Sequence, residues 1–394
     1  MAKVLGIIAE YDPFHNGHAY HLGEALRLTG ADTVITVMSG DFTQRGEPAL
    51  TDKWSRAEAA IRAGSDLVVE MPVIYAVNNA GYFARAGVGI LEALGADFIA
   101  FGSETADIEA LKDAAFSRTA MSDAQESELK ALVKEGLSYP RALGRVLGET
   151  EGPGPNDSLA IEYLRYMRSA EPVTIPRVGP GHGEASSSDA NLASATQLRR
   201  MLRSGEDVSG YVPETTLEIL KREEASCGFG DPEKLFTQFA SLAARADITG
   251  DLKEVYGAEE GLANKFTEEF RYTSSWEELV ERLKSKRYTR TRVQRTLIHM
   301  LLGLTRDMVK AAPLYGRILA MNDRGAEYLR GLKDSDGFME SGVPVIDNVN
   351  RALREHPELE AGLRLDILAA DIYNISLGRD LYSNSEYVKN PLKF

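Results

Sequence analysis

Two histidines three residues apart, with a glycine between them, are the most chemically suggestive feature of this sequence. The run Ile8-Ala9-Glu10-Tyr11-Asp12-Pro13-Phe14-His15-Asn16-Gly17-His18 leaves an apolar segment, breaks at a proline turn and enters a helical pattern. Gly17 has no side chain, so the backbone there can approach a phosphate or an adenine closely. The free N–H groups and positive dipole end of a first helical turn attract anions, worth about 0.3–1 kcal/mol when exposed. His15 and His18 could then donate hydrogen bonds to a triphosphate where negative charge grows. Losing one such preorganised donor typically costs about 2.7–4 kcal/mol of barrier. Two other readings compete: turn histidines with satisfied ring nitrogens, or zinc ligands. Zinc would need His21, His182, His299 or His356 as well, and their spacing offers no support.

Other candidates lie downstream. Gly102 ends an apolar strand, at the carboxyl edge where open α/β sheets bind ligands. Asn156 precedes a helix and either caps it or reaches a nucleotide. Arg177 closes another strand, as a fork for phosphate oxygens or as a solvated edge residue. Ser194, Thr196 and Arg199 begin a helix, either gripping phosphates or serving as an N-cap with a surface arginine. From Arg282 to Arg306 there is no acidic residue, and Lys286, Arg287, Arg290, Arg292 and Arg295 surround Tyr288. That pattern suits RNA held by phosphate contacts and base stacking, or a solvated helix face.

A scaffold must bring these groups together. Strands are expected at Val4–Ala9, Thr33–Met38, Asp66–Met71 and Asp97–Phe101, apolar on both faces as helix-covered strands are, with a fifth at Val173–Val178 after a helical stretch. Leu22, Ala25 and Leu26 form one intervening helical stripe; Phe83, Gly87, Ile90, Leu91 and Leu94 form another. The fold class is therefore α/β, a Rossmann-like parallel sheet over residues 1–208. A mostly helical region follows at 209–394, with helices at Leu217–Arg222, Pro232–Arg245, Ala258–Phe270, Trp276–Lys284, Arg292–Val309 and Pro344–Leu353. Extended pieces are expected near Pro313–Met321. Gly179–Asn191 reads as a mobile loop able to order over a ligand.

At 394 residues the chain is long enough for two or three domains. No apolar run reaches membrane-spanning length, and the N-terminal one is too short for a signal segment. A single cysteine, Cys227, excludes an internal disulfide framework and fits a reducing cytoplasm. A formal charge of −14 argues against indiscriminate nucleic-acid coating, which leaves the 282–306 segment as a basic island in an acidic chain.

The histidine motif resembles the first signature of the HIGH-type nucleotidyltransferases, which attack the α-phosphate of ATP and release pyrophosphate. More narrowly, Glu10 to His18 resembles the signature of the tRNA(Met) cytidine acetate ligases. Phe101-Gly102-Ser103-Glu104, Gly154-Pro155-Asn156-Asp157, Ile175-Pro176-Arg177, Ser194 to Arg199 and Lys286 to Arg292 fall in that family's order. The resemblance implies His15 and His18 as catalytic residues. It implies an ATP site formed by Ile7, Ile8, Ala9, Glu10, Tyr11, Asp12, Pro13, Phe14, His15, Asn16, Gly17, His18, Ala19 and Tyr20. Gly102, Asn156, Arg177, Val178, Ser194, Thr196 and Arg199 complete that site. It implies tRNA contact at Lys286, Arg287, Tyr288, Arg290, Arg292 and Arg295.

Substrates would be ATP, with Mg²⁺ as its companion ion, acetate and elongator tRNA(Met); no membrane, protein partner or protein-held metal is expected. Asp12 departs from the asparagine common in the family, and a carboxylate near phosphates would favour Mg²⁺ or a raised pKa. A small-molecule adenylyltransferase of the same superfamily is the alternative. A non-catalytic RNA-binding protein with a vestigial pocket is a third possibility.

Overall fold

Five parallel strands run through the centre of the protein: β1 (Val4–Ala9), β2 (Thr33–Ser39), β3 (Leu67–Met71), β4 (Phe98–Ser103) and β5 (Glu171–Pro176). The computed structural model describes residues 2–137, 139–148, 153–178, 191–259, 261–333, 342–379 and 385–394, so most of the expected Gly179–Asn191 loop lies outside it. β2 and β3 are buried at every position, as apolar strands covered on both faces must be. In register, Leu5 of β1 sits between Val34 of β2 and Phe98 of β4.

The strand order is β5-β4-β1-β2-β3 followed by β6 and β7. The chain steps outward from β1 through β2 to β3, then returns to place β4 on the other side of β1. The topological switch point therefore lies between β1 and β4, where open α/β sheets hold ligands beyond their carboxyl ends. Helix α1 (Asn16–Thr29) leaves β1 there and buries Leu22 and Ala25 before ending at Gly30, whose φ of 58° is the left-handed C-cap conformation. Helices α2 (Lys53–Arg62), α3 (Ala80–Ala93) and α4 (Pro155–Tyr166) connect the remaining strands. Between β4 and α4, three helices at Ile108–Thr119, Asp123–Lys134 and Tyr139–Leu147 were not marked by the sequence patterns.

The sheet does not stop at residue 208. β6 (Gly316–Met321) pairs antiparallel with β3, and β7 (Val345–Ile346) and β8 (Leu392–Lys393) pair with β6. Beyond α5 (Ala195–Arg203) the second half is otherwise helical, with several adjusted bounds. The expected Pro232–Arg245 helix is a 3₁₀ turn, Pro232–Leu235, followed by a helix at Gln238–Thr249. The expected Arg292–Val309 helix breaks at Gly303 (φ 62°) into α6 (Arg290–Leu302) and a short helix at Arg306–Lys310. The longest helix described, α7 (Glu360–Leu377), carried no sequence signal because it buries residues around most of its circumference, including Asp366, Asp371 and Asn374. A helix buried on all sides shows no amphipathic stripe. Among the described residues, no helix is long and apolar enough to cross a membrane.

A buried ion cluster joins the two halves. Lys53 Nζ of α2, 1 % exposed, lies 2.8 Å from Glu70 Oε1 of β3, 2.6 Å from Glu386 Oε2 and 3.5 Å from Asp41 Oδ2. Arg317 of β6 shares Glu386. Burial pushes the Glu70 carboxyl up to about 7, against the opposing pull of Lys53. Removing one partner of such a cluster leaves buried charge uncompensated, at about 3–5 kcal/mol. Lys53→Met should accordingly lower the unfolding free energy by about that amount in denaturant titration; a loss under about 1 kcal/mol would mean the cluster adds little to cohesion.

Candidate active site

The turn after β1 is held from several sides. Arg56 Nη1 donates to the Glu10 carbonyl at 2.7 Å, and Arg199 Nη1 donates to the Asp12 carbonyl at 2.8 Å. The Asp12 carboxylate accepts the Leu50 N–H at 2.6 Å and sits 3.2 Å from Arg199 Nη1. Asp12 is thus 5 % exposed, with one carboxylate oxygen on the Leu50 N–H and the other beside Arg199. Arg199 also bonds Thr196 Oγ1 through Nη2, so much of its fork is already engaged.

His15 is the N-cap of α1. Its Nδ1 accepts the Gly17 N–H at 3.1 Å, and His18 Nδ1 accepts the His15 N–H at 3.3 Å, a reciprocal capping box built from imidazoles. The rings stack with centroids 3.7 Å apart. A Cβ on Gly17 would lie 2.9 Å from His15 Cε1, so only glycine fits beneath that ring. Burial, followed by the Arg177 and Arg199 charges, pushes the His15 imidazole down to about 4. Burial and the neighbouring His15 and His21 lower His18 well below the usual range. Both rings are therefore neutral at pH 7. Because each Nδ1 accepts a backbone N–H, each remaining proton must sit on Nε2. The turn-residue reading is realised on Nδ1 of each ring, which leaves each Nε2 outside the capping contacts.

Three separate motifs interlock beside the switch point, at the ends of β4 and β5 and the start of α4. The Glu104 carboxylate, just past β4, accepts the Asn156 N–H (3.1 Å) and side-chain amide (2.7 Å) with Oε1 and the Asp157 N–H (2.8 Å) with Oε2. Asp157 returns the contact by accepting the Glu104 N–H at 3.0 Å and the Ser103 hydroxyl. Arg177 at the end of β5 donates its N–H to the Ser103 carbonyl at 3.0 Å and lies 3.9 Å from Glu104. Burial raises the Glu104 carboxyl, yet these donors hold it below the usual carboxylate range. A Cβ on Gly102 would meet nothing within 4 Å, leaving that side of β4 open.

His15, His18, Gly102, Asn156 and Arg177 line one cavity of about 1330 Å³. Of the expected ATP residues, Ile7 to Asp12, His15, Gly17, His18 and Tyr20 line it, as do Gly102, Asn156, Arg177, Val178, Ser194, Thr196 and Arg199. Ser194 also caps α5 through the Gln197 N–H, so its structural role is present too. Pro13, Phe14, Asn16 and Ala19 do not line it. Phe14 packs with Tyr11, Met38 and Trp54, and Pro13 is buried. The Asn16 amide holds the carbonyls of Asn191 and Gly210, and Ala19 faces outward.

The basic island divides similarly. Arg287, Arg292 and Arg295 line the cavity, whereas Arg290 pairs with Glu277 and Glu281 and Lys286 is exposed elsewhere. Tyr288 is only 7 % exposed, with Arg292 stacked 5.0 Å from its ring, which leaves it unsuited to stack on a base. Gly46 (φ 79°) lets the 43–47 loop lie against α6, because a Cβ there would stand 2.2 Å from Arg295 N. Gln44, Arg45, Asn79, Tyr82, Arg85, Arg118, Arg165 and Tyr256 also line the cavity, and no local motif marked them. Every cationic lysine-or-arginine side chain on the wall is an arginine, the residue suited to forked phosphate contacts.

A family described as HIGH Nucleotidyl Transferase matches residues 2–387. A tRNA(Met) cytidine acetate ligase of Caldicellulosiruptor saccharolyticus is 37% identical over 99% of this chain and 98% of its own length. One from Clostridium perfringens is 34% identical, with complete coverage of both chains. The apo crystal structure of Thermotoga maritima TmcAL superposes with a TM-score of 0.90 at 30% identity, over 100% of this chain and 99% of that one. Its form bound with alpha-thio ATP gives 0.87 at 30% identity over the whole of both chains. The histidine-capped switch point thus sits in a full-length likeness of sequence and fold, and the chain belongs to the tRNA(Met) cytidine acetate ligase family of the HIGH nucleotidyl transferases.

Proposed function

We propose that this protein uses ATP to activate acetate as acetyl-adenylate and then acetylates the wobble cytidine of elongator tRNA(Met), giving N4-acetylcytidine, AMP and pyrophosphate. The observation that carries this reading is the pair of neutral imidazoles whose Nδ1 atoms are fixed by backbone N–H groups, leaving two Nε2–H donors at the switch-point cavity. In the first step an acetate oxygen attacks the α-phosphate and pyrophosphate departs. The Nε2–H groups and nearby arginines stabilise charge developing on the phosphates without reorganising, and no covalent protein nucleophile is required. In the second step the cytidine N4 lone pair forms a bond to the acyl carbon, the bond to AMP breaks and one amine proton leaves.

The cavity volume supports a second substrate. Sites for one small ligand usually span about 300–1000 Å³, below the 1330 Å³ found here. A small-molecule adenylyltransferase would leave the Arg287, Arg292 and Arg295 wall without an occupant. Mg²⁺ fits as a companion of the triphosphate, since such ions keep several waters and bind through substrate phosphates. Among the described residues, no three His, Cys, Asp or Glu side chains converge to hold a metal.

Incubation with ATP, labelled acetate and unmodified tRNA(Met) should place label on cytidine; no transfer of label to tRNA would favour the adenylyltransferase reading. His18→Asn keeps an acceptor near Nδ1 but removes the Nε2 donor. It should remain folded and slow acetate-dependent pyrophosphate release by about 10²–10³-fold, and an unchanged rate would reject the donor role. Neutralising Arg287 with Arg292 should weaken tRNA binding while sparing ATP, and should do so more than neutralising Arg290; equal effects would show that the cavity wall is not the RNA surface.

A further inference from the structure

One part of the cavity wall, at the start of α3, carries groups that the adenylation step does not use. Asn79 is the N-cap of α3: its Oδ1 accepts the N–H groups of Gly81 (3.0 Å) and Tyr82 (3.3 Å). That commitment fixes the amide. Its Nδ2, which has no protein partner among the described residues, belongs to a side chain lining the cavity. The Tyr82 and Tyr256 rings, also on the wall, meet edge to face with centroids 6.3 Å apart. Asn78, next in the chain, is used up in support. Its Oδ1 accepts the Asn79 N–H and its carbonyl accepts Arg295 Nη1 at 2.9 Å, which clamps α6 to this corner.

We propose that Asn79 is the residue that tells cytosine from uracil, donating its Nδ2–H to N3 of a base held against Tyr82 and Tyr256. This rests on the acetyl-transfer reading above. The argument is one of elimination on the base edge. N4 must stay free to attack the acyl carbon, and O2 is common to both pyrimidines. N3 is therefore the remaining atom that differs, an acceptor in cytosine and a donor in uracil. A reader of N3 must be a donor that cannot turn round to offer its oxygen, and an asparagine whose oxygen caps a helix meets that condition. Tyrosine rings supply a platform for an unstacked base, a role the buried Tyr288 cannot fill.

The test uses the full-length protein, Asn79→Asp and Asn79→Ser. Both replacements retain a good N-cap acceptor and lose the amide donor. Three quantities are measured: acetate-dependent ATP–pyrophosphate exchange, acetyl transfer to tRNA(Met), and equilibrium binding of anticodon stem-loop transcripts with cytidine or uridine at the wobble position. Exchange should be unchanged in both variants, while transfer falls about 5- to 150-fold, the worth of one base-edge contact. The preference for the cytidine transcript should collapse in Asn79→Ser and turn towards uridine in Asn79→Asp, whose carboxylate accepts the uracil N3–H. Transfer and preference at wild-type levels would overturn the proposal. So would a parallel loss of exchange, which would assign Asn79 to the ATP site, or a wild-type protein with no cytidine preference. A wild-type protein that prefers cytidine yet transfers no acetyl would instead overturn the proposed reaction and leave the base reading standing.

Discussion

Where the protons of two imidazoles sit is decided here by the backbone rather than by a carboxylate partner. The opening turn of α1 has N–H groups without intrahelical acceptors, and His15 and His18 satisfy two of them through Nδ1. Burial keeps both rings neutral. A helix start, which must be capped in any case, thereby sets the tautomer of two rings on the cavity wall. Cap and candidate catalytic donor are the two ends of one ring.

The rest of the site exists to keep that helix start at a fixed place on the sheet edge. Asp12, Arg56 and Arg199 hold the turn before it, and the Glu104–Asp157 exchange holds the strand end beside it. The arginine-bearing part of the wall arrives from more than two hundred residues downstream and is seated by close backbone packing at Gly46 and by Arg295 on the Asn78 carbonyl. Charge is arranged on the same plan. An acidic chain gathers arginines around one hollow, so a polyanion meets attraction chiefly there.

Sequence patterns located all five parallel strands to within a few residues, the four inner ones because a buried parallel strand is a short apolar run, while the edge strand β5 is only partly buried. The histidine turn was equally visible, since strand, proline, glycine and helix follow one another in the chain. Neighbours in space but not in sequence were not legible. Asp12 read only as a carboxylate near phosphates, and its contacts with Leu50 and Arg199 join distant parts of the chain. Tyr288 read as a stacking surface because arginines flank it, yet those same arginines cover it. Helix α7 escaped notice for the opposite reason from the strands: a uniformly buried helix has no polar side to break its pattern. Asn79 and Tyr82 belong to an ordinary helix start, and only the cavity distinguishes them.

The cluster around Lys53 bears on how this protein can be altered by recombination. Glu70 comes from the central sheet, Arg317 from the added antiparallel strand and Glu386 from a short helix near residue 390, yet all converge on a single ammonium or on one another. A chimera that took its sheet from one relative and its arginine-bearing half from another would have to inherit these charges as a set. Splitting them would leave one parent's carboxylates facing another parent's vacancy in the dry interior. The sheet and the arginine-bearing half are thus tied through one dry set of charges, in which a change on either side alone leaves a partner unmatched.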